Sequence, residues 1–465
     1  MIELDPARDA PLYEQLYTAL ADEIRTGQRA PGQALPGRRT MAAQLGVSVN
    51  TVDAAYQMLA AEGLAEARPR SGFYVQKTYG MLHNRAARVP HAAPAAPAAP
   101  AAPQPRYDLS TGSVDTALFP ARSWGRLQRE LLYQHPEFLQ RGEMQGDAPL
   151  RAQIAAYLSA YRGVDCTPEQ IVVGAGIEYL LGCLAHLFAG QTAAVENPGY
   201  TRTRTVLQNN GIPCVLVDID RDGLPADALE QSGAGLCYLT PSHHFPTGVT
   251  MPAPRRAQLL AWAAARPGRY ILEDDYDSEF RYDTRPLPSL QGMAGPDGPV
   301  VYLTTFSKSL APGIRIACMV LPQSLLPRYR HDFAAYANTV SRFEQQTLCE
   351  FMAGGYFARH LARMRLVYKR RMETFAAALR RALPGVQLQR VHSGLHFLLT
   401  LPGAGGEHAM VEAAAREGVR LRGLREYYLA RPELCPPDTV VAGYAALKEE
   451  DIPAVAAALA RAWRR

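Results

Sequence analysis

The sequence lacks the marks of a membrane-spanning or disulfide-stabilised protein. No stretch approaches the roughly 18 consecutive apolar residues that a membrane helix needs. The start carries acids, Glu3 and Asp5, where a secretory signal would carry basic residues, and no apolar run follows them. The 7 cysteines are scattered and include no Cys-x-x-Cys pair, which argues against a zinc site and a disulfide framework. We therefore expect a cytoplasmic protein with buried thiols and no bound metal.

The composition is that of a globular protein with several domains. A chain of 465 residues predicts two to four domains at roughly 150 residues each. Hydrophobic residues make up 48% and charged residues 20%, which excludes a disordered chain. The net charge of +5 is unevenly distributed, since four arginines and no acid lie between Ile24 and Val52. Such a local excess of positive charge is typical of a surface that contacts nucleic acid.

A proline-rich segment separates two parts of the chain. Four Ala-Ala-Pro units end at Pro103, and proline at every third position forbids a helix and favours polyproline II. These units would span about 37 Å at the polyproline II rise. We interpret 78–107 as a semi-rigid linker between a first domain, 1–77, and a second domain, 108–465. A ligand for proline-binding domains is the alternative interpretation of the segment.

The first domain has the pattern of a small DNA-binding unit. Apolar residues recur at helical spacing from Leu12 to Ile24. Thr40 can cap a short helix that ends at Gly46, and Ser48 can cap a second helix that ends at Gly63. Two helices so joined have helix-turn-helix spacing, and a two-stranded wing with a basic tip follows. We expect DNA contacts from these side chains: Arg38, Arg39, Ser48, Asn50, Thr51, Arg68 and Arg70.

The second domain alternates strand-like apolar runs with helical stretches of ten or more residues. The runs are Ile171–Val173, Thr192–Val195, Cys214–Val217, Leu236–Leu239, Tyr270–Leu272, Val300–Leu303 and Ile316–Val320. This alternation predicts an α/β fold in which helices cover both faces of a mostly parallel sheet. The stretch 344–465 predicts a smaller α/β lobe. Its basic run, Arg359–Arg371, predicts a solvated or dimer-facing helix, with a second DNA-contacting surface as the alternative.

Two segments that follow predicted strands carry reactive side chains. Asp274 and Tyr276 follow one strand, Lys308 lies among hydroxyl residues after the next, and Arg315 comes seven residues later. Both segments would lie at the carboxyl edge of a parallel sheet, where ligands bind. This set of side chains suits pyridoxal phosphate, which needs an imine-forming amine, an acid for its ring nitrogen and an anion site. If each segment is considered alone, the simpler interpretations are that Lys308 is an exposed lysine and that the segment around Asp274 is an acidic surface loop.

Both parts of the chain resemble known families. The second domain resembles the fold-type I aminotransferases, which bind pyridoxal phosphate, in four strings: Glu196–Tyr200, Thr240–His243, Glu273–Phe280 and Thr305–Lys308. The block from Pro36 to Tyr56 resembles the helix-turn-helix of GntR-type repressors. Together in one chain they resemble the MocR/GabR-type transcription regulators. The resemblance covers nearly the whole chain except the linker.

The resemblance implies a role for each matching residue. Lys308 would form the Schiff base with the cofactor, Asp274 would bind the pyridine nitrogen, and Tyr276 would bind the ring hydroxyl. The remaining cofactor contacts would come from a small-residue turn, a stacking aromatic and phosphate ligands: Gly174, Ala175, Gly176, Tyr200, His243, Thr305, Ser307 and Arg315. A small amino-compound effector would contact arginines: Arg202, Arg422 and Arg425, with Arg420 as a further alternative.

The chain departs from the family pattern at several positions. Ile177-Glu178 stands where the family has a hydroxyl or a glutamine, so one phosphate hydrogen bond is in doubt. His244 replaces the glutamine of the Pro-Ser-His-Gln string, and Val49 replaces an arginine of the recognition helix. The arginine that binds the effector carboxylate in the small lobe has no clear counterpart, because Glu426 takes its expected place.

The main hypothesis is a transcription regulator that senses pyridoxal phosphate, an amino compound or both. The alternatives are an aminotransferase with an accessory N-terminal domain and a GntR-type regulator whose large domain has lost its cofactor. By resemblance, fold-type I sites are completed by a second subunit. Two recognition helices also need two half-sites, so we expect a homodimer on operator DNA. His392 and His396 are four residues apart, but Gly394 interrupts any helix, so packing is favoured over metal ligation.

Overall fold

The computed structural model describes residues 2, 4–6, 10–69, 71–77, 105–282, 287–389 and 393–464. Contacts between residues divide the chain into two compact units, Met1–Pro103 and Gln104–Arg465. Most of the predicted linker, 78–104, lies outside the described residues, and so do Arg70 and His392.

The first unit is a three-helix unit followed by a β-hairpin. Its elements are α1 (Leu12–Arg25), α2 (Arg38–Leu45), α3 (Val49–Ala61), β1 (Ala65–Arg68) and β2 (Gly72–Val75). The two strands are antiparallel, and Ala65 pairs with Val75. An isolated bridge from Ala34 to Tyr74 adds a further pairing to the hairpin. This arrangement confirms the predicted winged helix-turn-helix.

Local signals explain the ends of these helices. The Ser48 hydroxyl accepts the N–H of Thr51 at 3.1 Å and so caps α3, as expected. Gly46 ends α2 in the left-handed conformation, with φ of +66°. The sequence suggested that α2 begins after Thr40, but it begins at Arg38, because the carbonyl of Gly37 already accepts the N–H of Met41 at 2.9 Å.

The second unit is built on two larger sheets and a small strand pair. Its strands are β3 (Tyr107–Asp108), β4 (Ile171–Gly174), β5 (Ala193–Asn197), β6 (Cys214–Asp218), β7 (Leu236–Leu239), β8 (Tyr270–Asp275), β9 (Val300–Thr305), β10 (Ala317–Val320), β11 (Gln387–Gln389), β12 (His396–Thr400), β13 (Val419–Arg420), β14 (Arg422–Gly423) and β15 (Thr439–Gly443). The large sheet has the order β4-β10-β9-β8-β7-β5-β6. Only the pairings of β10 within it are antiparallel, which confirms a mostly parallel sheet.

Helices cover both faces of the large sheet. The helices of the second unit are α4 (Ala121–Gln134), α5 (Ala148–Arg162), α6 (Ile177–Leu187), α7 (Thr201–Asn209), α8 (Ala226–Gln231), α9 (Ala253–Ala264), α10 (Leu290–Ala294), α11 (Leu326–Asp332), α12 (Arg342–Ala353), α13 (Tyr356–Ala382), α14 (Glu407–Arg416) and α15 (Ile452–Trp463). Of these, α14, α15 and most of α13 pack in the core of the smaller lobe. Alternate residues of β4 enter different cores, with Val172 in one and Ile171 and Val173 in the other. Because both faces of the sheet are buried, most residues of such a strand are apolar, and the strand appears in the sequence as a continuous apolar run.

The smaller lobe has a four-stranded antiparallel sheet in the order β11-β12-β15-β14. Strand β3 pairs with β13, so Tyr107, which the sequence suggested as the last linker residue, is buried in the second unit. The basic run on α13 is not uniformly solvated as expected. Nε2 of His360 donates to the carbonyl of Ser309, and Arg371 is buried and paired with Asp115, because both side chains face the interior of the unit.

The helices among the described residues include none with the length and apolar character to cross a membrane.

Candidate functional site

A cavity of about 230 Å³ opens in the second unit beside the ends of β8 and β9. These strands are parallel neighbours, with Asp274 opposite Leu303, so their carboxyl ends lie at the same edge of the sheet. The cavity is lined by the predicted lysine, acid and phenol: Lys308, Asp274 and Tyr276. It is also lined by further predicted residues: Tyr200, Arg202, Thr305, Ser307 and Arg315.

Asp274 is the buried acid of the cavity. Its Oδ2 accepts a hydrogen bond from the Tyr238 hydroxyl. Its Oδ1 is buried and has no hydrogen-bond partner among the described residues. Burial raises the pKa of Asp274 to about 7; the Tyr238 hydrogen bond opposes the rise, and the Asp275 and Asp277 charges add to it. A cationic N–H donor placed against Oδ1 would satisfy the oxygen and stabilise the carboxylate.

Lys308 carries the amine of the site. Its Nζ donates to the carbonyl oxygens of Thr111 at 2.5 Å and Gly112 at 3.1 Å. Burial lowers the pKa of Lys308 to about 8, and the charge of Asp277 opposes part of that fall. A substantial fraction of the amine is therefore neutral near physiological pH, which is the form that attacks a carbonyl.

Tyr276 is tied to a buried cluster of two histidines and an acid. The Tyr276 hydroxyl lies 3.1 Å from Nδ1 of His243, and the same nitrogen lies 2.9 Å from Oδ2 of Asp277. Within the described residues, Nε2 of His243 is buried without a partner. His243 itself does not line the cavity but holds the phenol that does. Gly394, with φ of +73°, packs its backbone against the His243 ring, where a Cβ would collide.

His396 joins this cluster from β12. Its ring centroid lies 4.8 Å from that of His243, and its Nε2 bonds the carbonyl of Pro246 at 3.0 Å. His243, Asp277 and His396 offer ligand atoms within 4.8 Å of one another, as a metal site requires. Nδ1 of His243 and Nε2 of His396 already form hydrogen bonds to protein groups, whereas Nε2 of His243 has no partner among the described residues.

One side of the cavity is formed by Arg315 and by the start of α6; the predicted turn residues before this helix are not among the described residues that line the cavity. Gly174 ends β4, and Ala175 and Gly176 form the turn into α6. Nη2 of Arg315 lies 3.3 Å from the carbonyl of Ala175 and 2.8 Å from Oε2 of Glu178. A Cβ at Gly176, whose φ is +98°, would collide with that guanidinium. The absence of a side chain there therefore makes room for Arg315.

Hydroxyl groups complete this side of the cavity. The hydroxyls of Thr305 and Ser307 lie 2.8 Å apart, and the Ser307 N–H donates to the Thr305 hydroxyl at 3.2 Å. Thr305 is the last residue of β9, and Ser307 follows two residues later. Arg202 lies on the same side, with its Nη1 3.3 Å from Oε1 of Glu178.

Several cavity residues were not predicted from the sequence. Thr111 and Gly112 reach Lys308 from a distant part of the chain, and His396 comes from the small lobe. Phe245 lies edge-on to Tyr200, with ring centroids 5.4 Å apart. Phe245 follows the Thr240–His243 string, so its position in the sequence was a usable signal. Thr111 and Gly112 contact Lys308 through backbone carbonyl oxygens, so their residue types in the sequence could not indicate this role.

The two small-lobe arginines predicted to bind an effector lie elsewhere. Arg422 and Arg425 are exposed, and neither is among the described residues that line the cavity. Nη1 of Arg422 donates to Glu426 at 2.8 Å. Arg420 pairs with Asp108 and joins β13 to β3. Of the predicted effector residues, Arg202 is the one that the structure brings to the cavity.

The first unit presents the predicted DNA-contacting residues at its surface. Ser48 and Asn50 are exposed at the start of α3, and Thr51 is half-buried beside them. Arg38 forms an ion pair with Asp53, which links α2 to α3, and Arg39 is exposed. In the wing, the Arg68 guanidinium lies 4.4 Å from the centre of the Tyr74 ring. Arg70 lies outside the described residues.

Comparisons with known proteins match both units. The family model of bacterial regulatory proteins of the gntR family matches residues 12–75, and that of aminotransferase class I and II matches 106–459. An uncharacterized HTH-type transcriptional regulator of Bacillus subtilis, YdeL, is 37% identical over 99% of this chain and 98% of its own. The probable rhizopine catabolism regulatory protein MocR of Rhizobium meliloti is 32% identical over 96% of this chain and 92% of its own. The chain belongs to the MocR-type transcription regulators.

The likeness to solved enzymes is confined to the second unit. The crystal structure of LysN, an alpha-aminoadipate aminotransferase of Thermus thermophilus, is 27% identical with a TM-score of 0.67 and covers 77% of this chain and 92% of that chain. Since the full-length relatives are regulators, the comparisons favour a MocR-type DNA-binding regulator over an aminotransferase with an accessory N-terminal domain.

Proposed function

We propose that this MocR-type regulator holds pyridoxal phosphate at Lys308, and that occupancy of the site controls its binding to operator DNA. Pyridoxal phosphate itself, or an amino compound that reacts with it, is the signal. The observation that carries the proposal is the unpartnered, buried Oδ1 of Asp274 in a cavity that also contains Lys308, Tyr276 and Arg315. An orphaned acceptor of this kind is costly unless a ligand supplies the donor.

The residues present fit the cofactor at each of its polar ends. Asp274 would hold the pyridine nitrogen protonated, and Tyr276, fixed by His243, would donate to the ring hydroxyl. Arg315, Thr305, Ser307 and the amides of the α6 start would hold the phosphate. Tyr200 would lie against the ring. LysN, a relative in fold, was crystallised with N-(5'-phosphopyridoxyl)-L-leucine, which supports the assignment.

The bound cofactor would supply an electrophilic carbon that exchanges amines. Lys308 would attach the cofactor covalently, through Nζ and the cofactor's aldehyde carbon, with loss of water. The lowered pKa of Lys308 favours this step because more of the amine is neutral. Arg202, which lines the cavity, would hold the carboxylate of an amino-compound effector.

Lys308 is the residue to change in the first test. The wild-type chain, freed of cofactor and then mixed with pyridoxal phosphate, should gain the visible absorption band of the covalently bound cofactor. Lys308→Ala should not gain it, whereas Lys448→Ala, a change at an exposed lysine of the small lobe, should. A band of equal strength in Lys308→Ala would refute the assignment. Incubation with amino acids and keto acids should shift the band but produce little turnover.

We also propose that the regulator is a homodimer. Large apolar side chains on and after α4 are strongly exposed, with Tyr133 at 79% and Leu139 at 74%. Large exposed apolar side chains of this kind suit a subunit interface. A dimer carries two winged helices, which matches an operator with two half-sites. Sedimentation equilibrium should give twice the chain mass of 50.9 kDa, and a monomer at micromolar concentration would contradict the proposal.

A further inference from the structure

Glu178 lies between the two arginines that line the cavity. Its Oε2 is 2.8 Å from Nη2 of Arg315, and its Oε1 is 3.3 Å from Nη1 of Arg202. All three side chains line the cavity. One carboxylate therefore engages donor atoms of both guanidinium groups, on the side of the cavity where an anionic ligand would bind.

The position of Glu178 is set by the start of α6. It is the second residue of that helix, directly after the turn that ends at Gly176. Nη2 of Arg315, which Glu178 engages, is also within 3.3 Å of the Ala175 carbonyl, and a Cβ at Gly176 would collide with it. The guanidinium is thus held beside the helix start, with Glu178 against its donor edge.

Glu178 is ionised at neutral pH. Burial raises its pKa, but the hydrogen bonds from Arg315, from the backbone and from Arg202, together with the charge of Arg315, outweigh this and bring the pKa below its ordinary value. A phosphate monoester carries a charge of about −1.5 to −2 at pH 7. The carboxylate and the phosphate therefore repel each other and need the same donor atoms.

We propose that Glu178 is an internal competitor for the phosphate group of the cofactor and lowers the affinity of the site for it. The proposal rests on the function proposed above. Phosphate takes Nη2 of Arg315 and displaces Glu178, whose carboxylate retains Arg202 as its partner. Because binding must break an existing ion pair, the site fills only at a higher concentration of the phosphorylated ligand.

A lowered affinity suits a sensor rather than an enzyme. A protein whose site is always full cannot report the concentration of its ligand, whereas one with weaker binding changes occupancy as that concentration changes. Glu178 would then set the concentration of pyridoxal phosphate at which the regulator responds. A glutamine at this position would keep the shape of the side chain and remove the competing charge.

Equilibrium titration of the cofactor-free full chain tests this role. The two ligands are pyridoxal phosphate and pyridoxal, which has the same aldehyde and ring but no phosphate. The variants are Glu178→Gln and Glu178→Ala. The control is Glu230→Gln, since Glu230 on α8 also bridges two arginines, Arg266 and Arg269, but does not line the cavity. Thermal melting verifies that each variant folds.

Both Glu178 variants should bind pyridoxal phosphate about tenfold more tightly than the wild type, since each removes one like-charge contact at a half-exposed site. Pyridoxal should bind all four proteins within about twofold, because it has no phosphate to compete. Unchanged or weaker binding of pyridoxal phosphate by the variants would overturn the proposal. An equal gain for pyridoxal, or a gain in Glu178→Gln alone, would overturn it as well.

The two proposals fail in different ways. If the wild-type chain gains no band with either aldehyde, cofactor binding at Lys308 is refuted and the role of Glu178 falls with it. If the wild-type chain binds both aldehydes and the Glu178 variants show no gain specific to phosphate, the role of Glu178 alone is refuted.

Discussion

Asp274→Asn should stabilise the cofactor-free protein at alkaline pH and weaken its binding of pyridoxal phosphate. Asp274 is buried, and its pKa is raised from 3.8 to about 7. A carboxyl group with a raised pKa in the folded state stabilises the fold below its unfolded pKa and loses that contribution as pH rises through the folded value. Asparagine does not titrate, so the variant should escape this loss.

The size of the effect follows from the pKa difference. At 1.36 kcal/mol per pKa unit, the raised pKa of Asp274 lowers the free energy of unfolding by about 4 kcal/mol at pH 8 and by about 2 kcal/mol at pH 5, compared with a group that does not titrate. The amide group that the substitution introduces would lack a partner where Oδ1 has none, which costs about 1–3 kcal/mol at either pH. We therefore expect near-equal stability at pH 5 and a gain of about 2 kcal/mol at pH 8.

Thermal unfolding of the cofactor-free chain at the two pH values measures this difference. The control is Asp227→Asn, since Asp227 is an exposed acid on helix α8 and does not line the cavity. With pyridoxal phosphate present the order should reverse. The Asp274→Asn protein would bind it at least about 30-fold more weakly, because one partner of a buried charged pair is lost. A variant that is less stable than the wild type at both pH values would refute the reasoning.

Three further predictions concern the amine, the effector and the DNA. The rate at which cofactor-free protein captures pyridoxal should rise with pH through a midpoint near 8, because the pKa of Lys308 is about 8 and half of the amine is neutral there; a midpoint near the ordinary lysine value of 10.5 would contradict this. Arg202→Gln should weaken the spectral response to amino acids more than the response to amines without a carboxylate, and an equal loss for both would exclude carboxylate binding. In gel-shift titrations Asn50→Ala should reduce discrimination between operator and random DNA, whereas Arg39→Ala should weaken both and flatten the salt dependence; two variants that bind like the wild type would exclude these contacts.

Much of the fold could be predicted because buried parallel strands leave a strong pattern. Each predicted apolar run of the second domain became a strand of the large sheet, often longer than expected. Strand β8 continues through charged residues to Asp275. The pattern could not show this, because Glu273 is accommodated by accepting the N–H groups of Leu290 and Gln291. The reversed direction of β10 likewise depends on a connection that no local residue pattern signals.

The site was predictable where its residues lie at, or just after, the carboxyl ends of strands. Lys308, Asp274 and Tyr276 share that property, so their meeting in one cavity follows from the parallel sheet. Contacts that depend on tertiary packing could not be foreseen, such as the carbonyl of Thr111 beside Lys308. The sequence showed that Glu178 stands where the family has a hydroxyl or an amide. It could not show that Glu178 contacts both Arg202 and Arg315, because these contacts depend on the tertiary fold.

Operator footprinting of the full chain, in the wild type and in Lys308→Ala, tests most directly whether the aminotransferase-like unit controls DNA binding. Each protein is footprinted alone, with pyridoxal phosphate, and with pyridoxal phosphate plus a primary amine. An effect on DNA binding requires a ligand that favours one conformation over another. We predict that the wild-type footprint changes with the cofactor or with the amine, and that Lys308→Ala loses the response to the amine while still binding the operator. A wild-type footprint identical in every ligand state would contradict the account.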